Sequence, residues 1–209
     1  MHSFQDFNWE ALERELKTIQ ALCRDLGIWA VIGSCHFVDA SARPRNSLYI
    51  IDPQGEVLDR YDKRFCSQSE ITEWYSAGKK QVVFEVNGLR IGCATCIEIQ
   101  FPEVFLDYEK QDVDCVLFSS YSDSTMFGIQ AQGHAACNNY WMSMSVPTNK
   151  SQKLPSNFVG PSGDVISRCH SGVDSIVVNE INPEDKQWEV PLKLARPWRR
   201  LARKGEIYT

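Results

Sequence analysis

No run of apolar residues in this sequence approaches the ~20 needed to cross a bilayer. The opening, Met1-His2-Ser3-Phe4-Gln5-Asp6, lacks the apolar stretch of a secretion signal, so a cytoplasmic location and no membrane partner are expected. A basic surplus is also missing. The 22 Lys and Arg are outnumbered by 27 Asp and Glu, for a formal net charge of −5. Without a field that attracts phosphates, nucleic acid is excluded as a partner. Metal-ligand spacing is absent, because Cys35-His36 and Cys169-His170 are the only adjacent Cys/His pairs and neither is ligand-like. No metal is therefore expected. There is no low-complexity tract and no linker, so residues 1–209 read as one domain, with 183–209 as a polar C-terminal tail. Within that tail, Arg196-Pro197-Trp198-Arg199-Arg200 reads as a solvated basic run.

What is present suits a sizeable core, with 43% hydrophobic residues and 23% charged. Eight cysteines stand at 23, 35, 66, 93, 96, 115, 137 and 169. Several fall in apolar stretches, as Cys115 does before Val116-Leu117-Phe118, and read as reduced, buried thiols. Trp9, Leu12, Leu16, Ile19, Leu22, Cys23 and Leu26 share one helical face, which Asn8 can cap and Gly27 can end. A strand follows at Ile28–Gly33. Three hairpins are predicted: Ser47–Asp52 with Glu56–Tyr61, Gln81–Val86 with Leu89–Cys93 around Asn87-Gly88, and Asn157–Gly160 with Val165–Cys169. Helices at about Pro102–Lys110 and Met126–Asn138 alternate with strands at Cys115–Ser119 and Tyr140–Ser145, and a last strand is expected at Ser175–Val178. Strands that alternate with helices in places and pair as hairpins in others imply a mixed-sheet α/β fold.

The stretch Gly92-Cys93-Ala94-Thr95-Cys96-Ile97-Glu98 reads as a buried strand running into a helix with a cysteine at the join. Unpaired N–H groups and the helix dipole favour a thiolate at such a place, which is the setting of a nucleophile. A buried structural cysteine remains open, as does a redox pair of Cys93 with Cys96, although Cys93 belongs to the strand pattern. Lys63 ends a hairpin strand. Most lysines are solvated, yet an ammonium held by an ordered hairpin could stabilise a developing oxyanion. Glu70 and Glu73 lie in the loop Ser67–Gly78, and His36 and His134 are candidate partners for Cys96 that nothing singles out.

Four segments together resemble the nitrilase, or carbon–nitrogen hydrolase, superfamily: Gly55–Lys63, Trp74–Gly78, Phe84 through Cys96 with Phe101-Pro102-Glu103, and Asn157–Gly163. Their order and spacing agree from about Trp9 to Ile181. The resemblance implies a four-layer αββα sandwich and hydrolysis of a non-peptide C–N bond in a small amide, nitrile or carbamoyl compound, without metal or cofactor. It implies Cys96 as the nucleophile forming a thioester, Lys63 and the Ile97 N–H as oxyanion donors, and Glu70 as a supporting glutamate, with Glu73 competing. A homodimer or higher homo-oligomer joined through the outer helices is implied as well. One departure stands out. The family's general base is a glutamate in a Phe-Pro-Glu segment on a strand before the first helix. Only eight residues precede Trp9 here and none is Glu. The sequence is thus expected to lack an opening strand–helix–strand, and either to turn over poorly or to act as an inactive binding subunit. The identity of the substrate is not legible, although Tyr121 and the Ser67–Gly78 loop are expected to line the pocket.

Overall fold

An 18-residue helix, α1 (Trp9–Leu26), opens the structured chain. Asn8 caps it by accepting the Ala11 N–H at 3.0 Å, and Gly27 ends it in the left-handed conformation, φ 63°. This computed structural model describes residues 4–39 and 41–208. Trp9, Leu12, Leu16 and Ile19 are half-buried and Cys23 is buried, while Leu22 and Leu26 of the predicted apolar face stay exposed. After α1 come β1 (Ala30–His36), β2 (Arg45–Ile51) and β3 (Val57–Asp62), an antiparallel sheet in that order. The register places Gly33 opposite Leu48 and Ser47 opposite Asp62. The central strand supplies the buried Leu48, Ile50 and Ile51. Gly55 at the β2–β3 turn has φ 80°, and a Cβ there would meet the Gln20 carbonyl of α1 at 2.4 Å. The Gln20 side chain in turn donates to the Gly55 carbonyl at 2.8 Å, fastening the hairpin tip to the helix.

These elements belong to the first of two compact units, Met1–Val82; the second is Val83–Thr209. Unit two holds a six-stranded sheet ordered β4 (Val83–Val86), β5 (Leu89–Thr95), β6 (Cys115–Ser119), β7 (Trp141–Ser145), β8 (Asn157–Val159) and β9 (Val165–Arg168). β5, β6 and β7 are parallel, and antiparallel hairpin strands flank them on both sides. Asn87 and Gly88 both take positive φ, 51° and 81°, as a two-residue hairpin turn demands. Helices α2 (Pro102–Lys110) and α3 (Thr125–Asn138) pack together, and α3 covers β7 and β8. Val104, Phe105 and Tyr108 of α2 are buried, as are Val116, Phe118, Ala131 and Ala135 of the neighbouring elements, each large side chain contributing about 1.5–3 kcal/mol.

Two expectations fail in this unit. Ser175–Val178 forms no strand: Ile176 and Val178 are 85% and 89% exposed, because alternation without a partner strand buries nothing. The basic run at 196–200 is not solvated but forms α4 (Arg196–Lys204). Arg196 is buried and donates to the Val113 carbonyl at 2.8 Å. Arg200 and Arg203 reach the buried carboxylate of Glu109 at 2.5 and 2.8 Å. Arg199 donates to the Ala136 carbonyl and to Asn139. The partners of these four side chains lie 60 to 94 residues back along the chain, out of reach of any local pattern.

Candidate active site

β5 ends at Thr95, and Cys96 begins a 3-10 turn, Cys96–Gln100, that leads into α2 with Pro102 in its first turn. Cys96 has φ 52°, one of four positive-φ non-glycine residues among the described positions. An L-residue takes that conformation at a cost of roughly 1–2 kcal/mol, so its surroundings must enforce it. They do so from both sides. Thr95 and Glu98 form a capping box, in which the fully buried Glu98 accepts the Thr95 N–H at 2.8 Å. Thr95 also donates its hydroxyl to the Ser119 carbonyl of β6 at 3.0 Å. Glu98, two residues from the cysteine, thus acts as a backbone brace.

Further support comes from α2 and α3. Tyr108 receives the Cys93 N–H at 3.1 Å and returns its hydroxyl proton to the Cys93 carbonyl. Gly92 makes room for the Tyr108 ring, since a Cβ there would stand 2.6 Å from it. The His134 ring stacks on Phe105 at 4.0 Å, with Nε2 bonded to the Ile99 carbonyl at 2.9 Å. Burial pushes the His134 pKa down and outweighs the opposing pull of that carbonyl, so the ring is neutral and donates. This histidine braces the turn that follows Cys96.

Cys96 is partly exposed, whereas Cys93 is fully buried inside β5, an unfavourable position for thiol exchange. The first N–H groups of a helix have no acceptor inside it, and in this turn they belong to Cys96 and Ile97. Parallel pairing puts Thr95, Ser119 and Ser145 in register, so the segments after β5, β6 and β7 leave the sheet along one edge. Ligands of parallel sheets bind at this carboxyl edge. Ser120 there is buried, and its Oγ meets no partner among the described residues.

Unit one carries the other candidates. Lys63 follows β3 directly and is only 1% exposed, so the solvated reading of this lysine does not hold. Its N–H donates to the Asn46 carbonyl at 2.8 Å, and Gly78 donates to its carbonyl at 2.7 Å. Gly78 is required because a Cβ would meet the Asp62 carbonyl at 2.3 Å as the loop returns past β3. Lys63 Nζ bonds both carboxylate oxygens of Glu70, at 2.7 and 2.6 Å. Glu70 also accepts the Ser67 N–H at 2.7 Å and the Asn46 amide at 3.2 Å. Burial would raise the Glu70 pKa, but the hydrogen bonds from Lys63 and Ser67 and the lysine charge together hold it below its usual value. Glu73 is exposed on the π-helical turn Glu70–Trp74. It is Glu70 that meets Lys63.

Behind Lys63 lies a polar network on the sheet. Arg60 forks onto Asp62 at 2.7 and 3.0 Å, and Ser47 donates to Asp62 at 2.6 Å. His36 Nε2 accepts from Arg60 at 2.7 Å and Nδ1 bonds the Tyr49 hydroxyl at 2.8 Å. Burial and the Arg60 charge push the His36 pKa down, so both ring nitrogens are engaged in the neutral form. Among the described residues, no group of three or more His, Cys, Asp or Glu could hold a metal ion, and no helix is long and apolar enough to cross a membrane.

Residues 2–188 match the carbon-nitrogen hydrolase family. Solved structures of amidases share the fold. The NitN amidase from Nesterenkonia sp. AN1 has a TM-score of 0.73 at 19% identity, covering 90% of this chain and 76% of that one. An amidase from Nesterenkonia sp. has a TM-score of 0.67 at 20% identity, covering 76% of this chain and 63% of that one. A glutamate-to-glutamine mutant of the AN1 amidase, at 19% identity, TM-score 0.67 and the same 76% and 63% coverage, shows the acetamide moiety of fluoroacetamide added covalently at its active-site cysteine. The chain thus spans less than two thirds of the length of two of these amidases. With two sheets, mixed pairing and covering helices matched across most of its length, this chain belongs to the carbon-nitrogen hydrolase family and has the fold of nitrilase-superfamily amidases.

Proposed function

We propose that this chain acts on the C–N bond of a small amide, nitrile or carbamoyl compound through a thioester on Cys96. For an amide, Cys96 Sγ attacks the carbonyl carbon and an S–C bond forms. The C–N bond then breaks and ammonia leaves with the thiol proton. Water cleaves the resulting thioester, giving the carboxylic acid and returning the thiol. Lys63 and the Ile97 N–H are proposed as donors to the oxyanion, and Glu70 as the group that holds the Lys63 ammonium in place. The observation that carries this assignment is the enforced left-handed backbone of Cys96 at the end of β5, a strand-to-helix elbow that presents a nucleophile above the sheet edge.

Glu10, Glu13 and Glu15 are exposed on α1 and are not proposed as the general base. Covalent capture at Cys96 needs no delivery of water and serves as the test. Brief treatment with fluoroacetamide or iodoacetamide, followed by peptide mass mapping, should modify Cys96 ahead of the exposed Cys137. Lys63→Met should slow capture at Cys96 and leave Cys137 unaffected. Equal rates at the two thiols in the unmutated protein would remove Cys96 as the nucleophile.

A further inference from the structure

The segment that follows β9 has the composition of a strand without the pairing of one. Val173, Ile176, Val177, Val178 and Ile181 are all β-branched, the side chains that a pleated backbone favours. Side chains alone fasten it. Cys169 Sγ donates to the Ser175 carbonyl at 3.5 Å, and the His170 N–H donates to the Ser175 hydroxyl at 2.9 Å. At the other end the Ser167 hydroxyl donates to the Asn179 side chain at 2.7 Å. Among the described residues, 173–181 make no backbone–backbone hydrogen bond. Burial along it still alternates: Ile176, Val178 and Glu180 are exposed, and Val177 and Asn179 are half-buried. That is the period of an extended chain. A run of unpaired N–H and C=O groups that also bares Ile176 and Val178 is a template for another strand.

Charge decides which strand fits. Residues 171–185 hold four acids, Asp174, Glu180, Glu184 and Asp185, and no Lys or Arg. Glu184 is paired with Lys193 at 2.5 Å. Asp174 takes the Thr148 hydroxyl, and neither it nor Glu180 meets a cation among the described residues. Asp174, Ile176, Val178 and Glu180 share one face by the two-residue period, so that face reads acid, apolar, apolar, acid. A second copy fits it badly. The antiparallel register that sets Ile176 against Val178 also sets Asp174 against Glu180 of the second copy, at both ends of the ladder. Like charges placed directly opposite destabilise a strand pair, whereas opposite charges support it.

We propose that 175–181 is a docking edge for an extended segment of another polypeptide, one that is apolar at alternate positions, carries lysine or arginine at its ends, and adds here as a β-strand. Main-chain hydrogen bonds supply the affinity, and the alternating face selects the sequence.

The probe is the peptide acetyl-Lys-Thr-Val-Thr-Val-Thr-Lys-amide, whose lysines and valines match that face in either direction. It is added to the 209-residue protein, and amide hydrogen exchange is followed by mass spectrometry. Exchange across 175–181 should slow saturably with peptide. Replacing both lysines of the peptide by glutamate should weaken the effect by about tenfold, and Glu180→Lys should weaken the lysine peptide by a similar factor. Ile176→Pro and Val177→Pro remove N–H groups on opposite sides of the strand, so at least one of them should abolish protection. Both should melt with the parent, because the segment makes no backbone bond of its own. The peptide series on the parent chain stands without them. No protection at millimolar peptide, or equal protection by a peptide of the same composition with its alternation scrambled, would overturn the docking edge. So would protection that survives both proline variants. Protection that needs no peptide and rises with protein concentration would overturn it as well, and would give the edge to a second copy.

Discussion

At Cys96 the backbone itself can be tested apart from the thiol. Its φ of 52° is held by the Thr95–Glu98 box on one side and by the His134 bond to Ile99 on the other. Alanine keeps the Cβ and its strain, whereas glycine relieves it. Cys96→Gly should therefore melt at or above Cys96→Ala, the reverse of the usual order, with about 1 kcal/mol separating them in denaturant titration. A glycine variant less stable than alanine by the usual margin would mean that the conformation is not strained. The other cysteines give a second check. Burial pushes the Cys115 thiol up to about 12, and burial also raises Cys35, so both should resist iodoacetamide near neutral pH while Cys96 reacts. The cysteine at a strand-to-helix join is legible in the sequence because apolar alternation at Leu89, Ile91 and Cys93 gives way to Pro102 in a helix start. Its strain is not, since one dihedral depends on a hydroxyl and a carboxylate brought in by folding. Lys63 is legible only through the resemblance. In isolation a lysine reads as solvated, and its burial arises from Glu70 arriving seven residues later.

The readable elements are those whose stabilisation is local. Asn87-Gly88 sets its hairpin by turn chemistry, and α1 carries its own start and stop in Asn8 and Gly27. The loop that brings Glu70 to Lys63 is different in kind, since a buried ion pair binds it. Removing one partner leaves the other charge desolvated, so Lys63→Ala and Glu70→Ala should each cost about 3–5 kcal/mol in the stability of their unit. The pH dependence follows from sign. Glu70 titrates lower in the folded state than its reference value of 4.5, so its contribution is fully present above that value and is lost as pH falls through the depressed folded pKa. Acid melts followed below pH 4.5 should show a shallower loss in Glu70→Gln than in the parent. α4 defies a local reading for the opposite reason. Its arginines have partners far back in the chain, with Arg200 and Arg203 sharing the buried Glu109. Glu109→Ala should therefore lower the melting temperature by an amount equivalent to about 3 kcal/mol or more, and the loss should shrink when Arg200 and Arg203 are replaced as well. Additive losses in the triple variant would deny the clamp.

For the whole molecule, the outstanding question is assembly, and α3 bears on it. Met126 and Ile129 are 58% and 66% exposed, and Gly133 and Cys137 continue the same outward face at helical spacing. On α2, Pro102 and Glu103 are exposed beside this face, and with Leu106 they line an open groove of about 590 Å³ together with Gly133, His134 and Cys137. Exposed apolar side chains on one helix face, as Met126 and Ile129 are, mark a candidate interaction site. The resemblance to the nitrilase superfamily implies a homodimer joined through outer helices, and we propose the Met126–Ile129 end of α3 as that surface, which leaves Cys137, two turns further on, accessible. A two-fold interface doubles the effect of any one substitution, because each residue appears on both sides. Ile129→Lys would place two ammonium groups in the buried patch, so light scattering at micromolar concentration should give twice the 23.9 kDa chain mass for the parent protein and the single mass for the variant. The capture rate at Cys96 separates dissociation from unfolding, since a folded monomer retains the elbow and its reactive thiol. A parent protein that is monomeric at those concentrations, or an Ile129→Lys variant that remains dimeric, would refute this surface. In the second case another face joins the copies, and the apolar stripe on α3 has a different occupant.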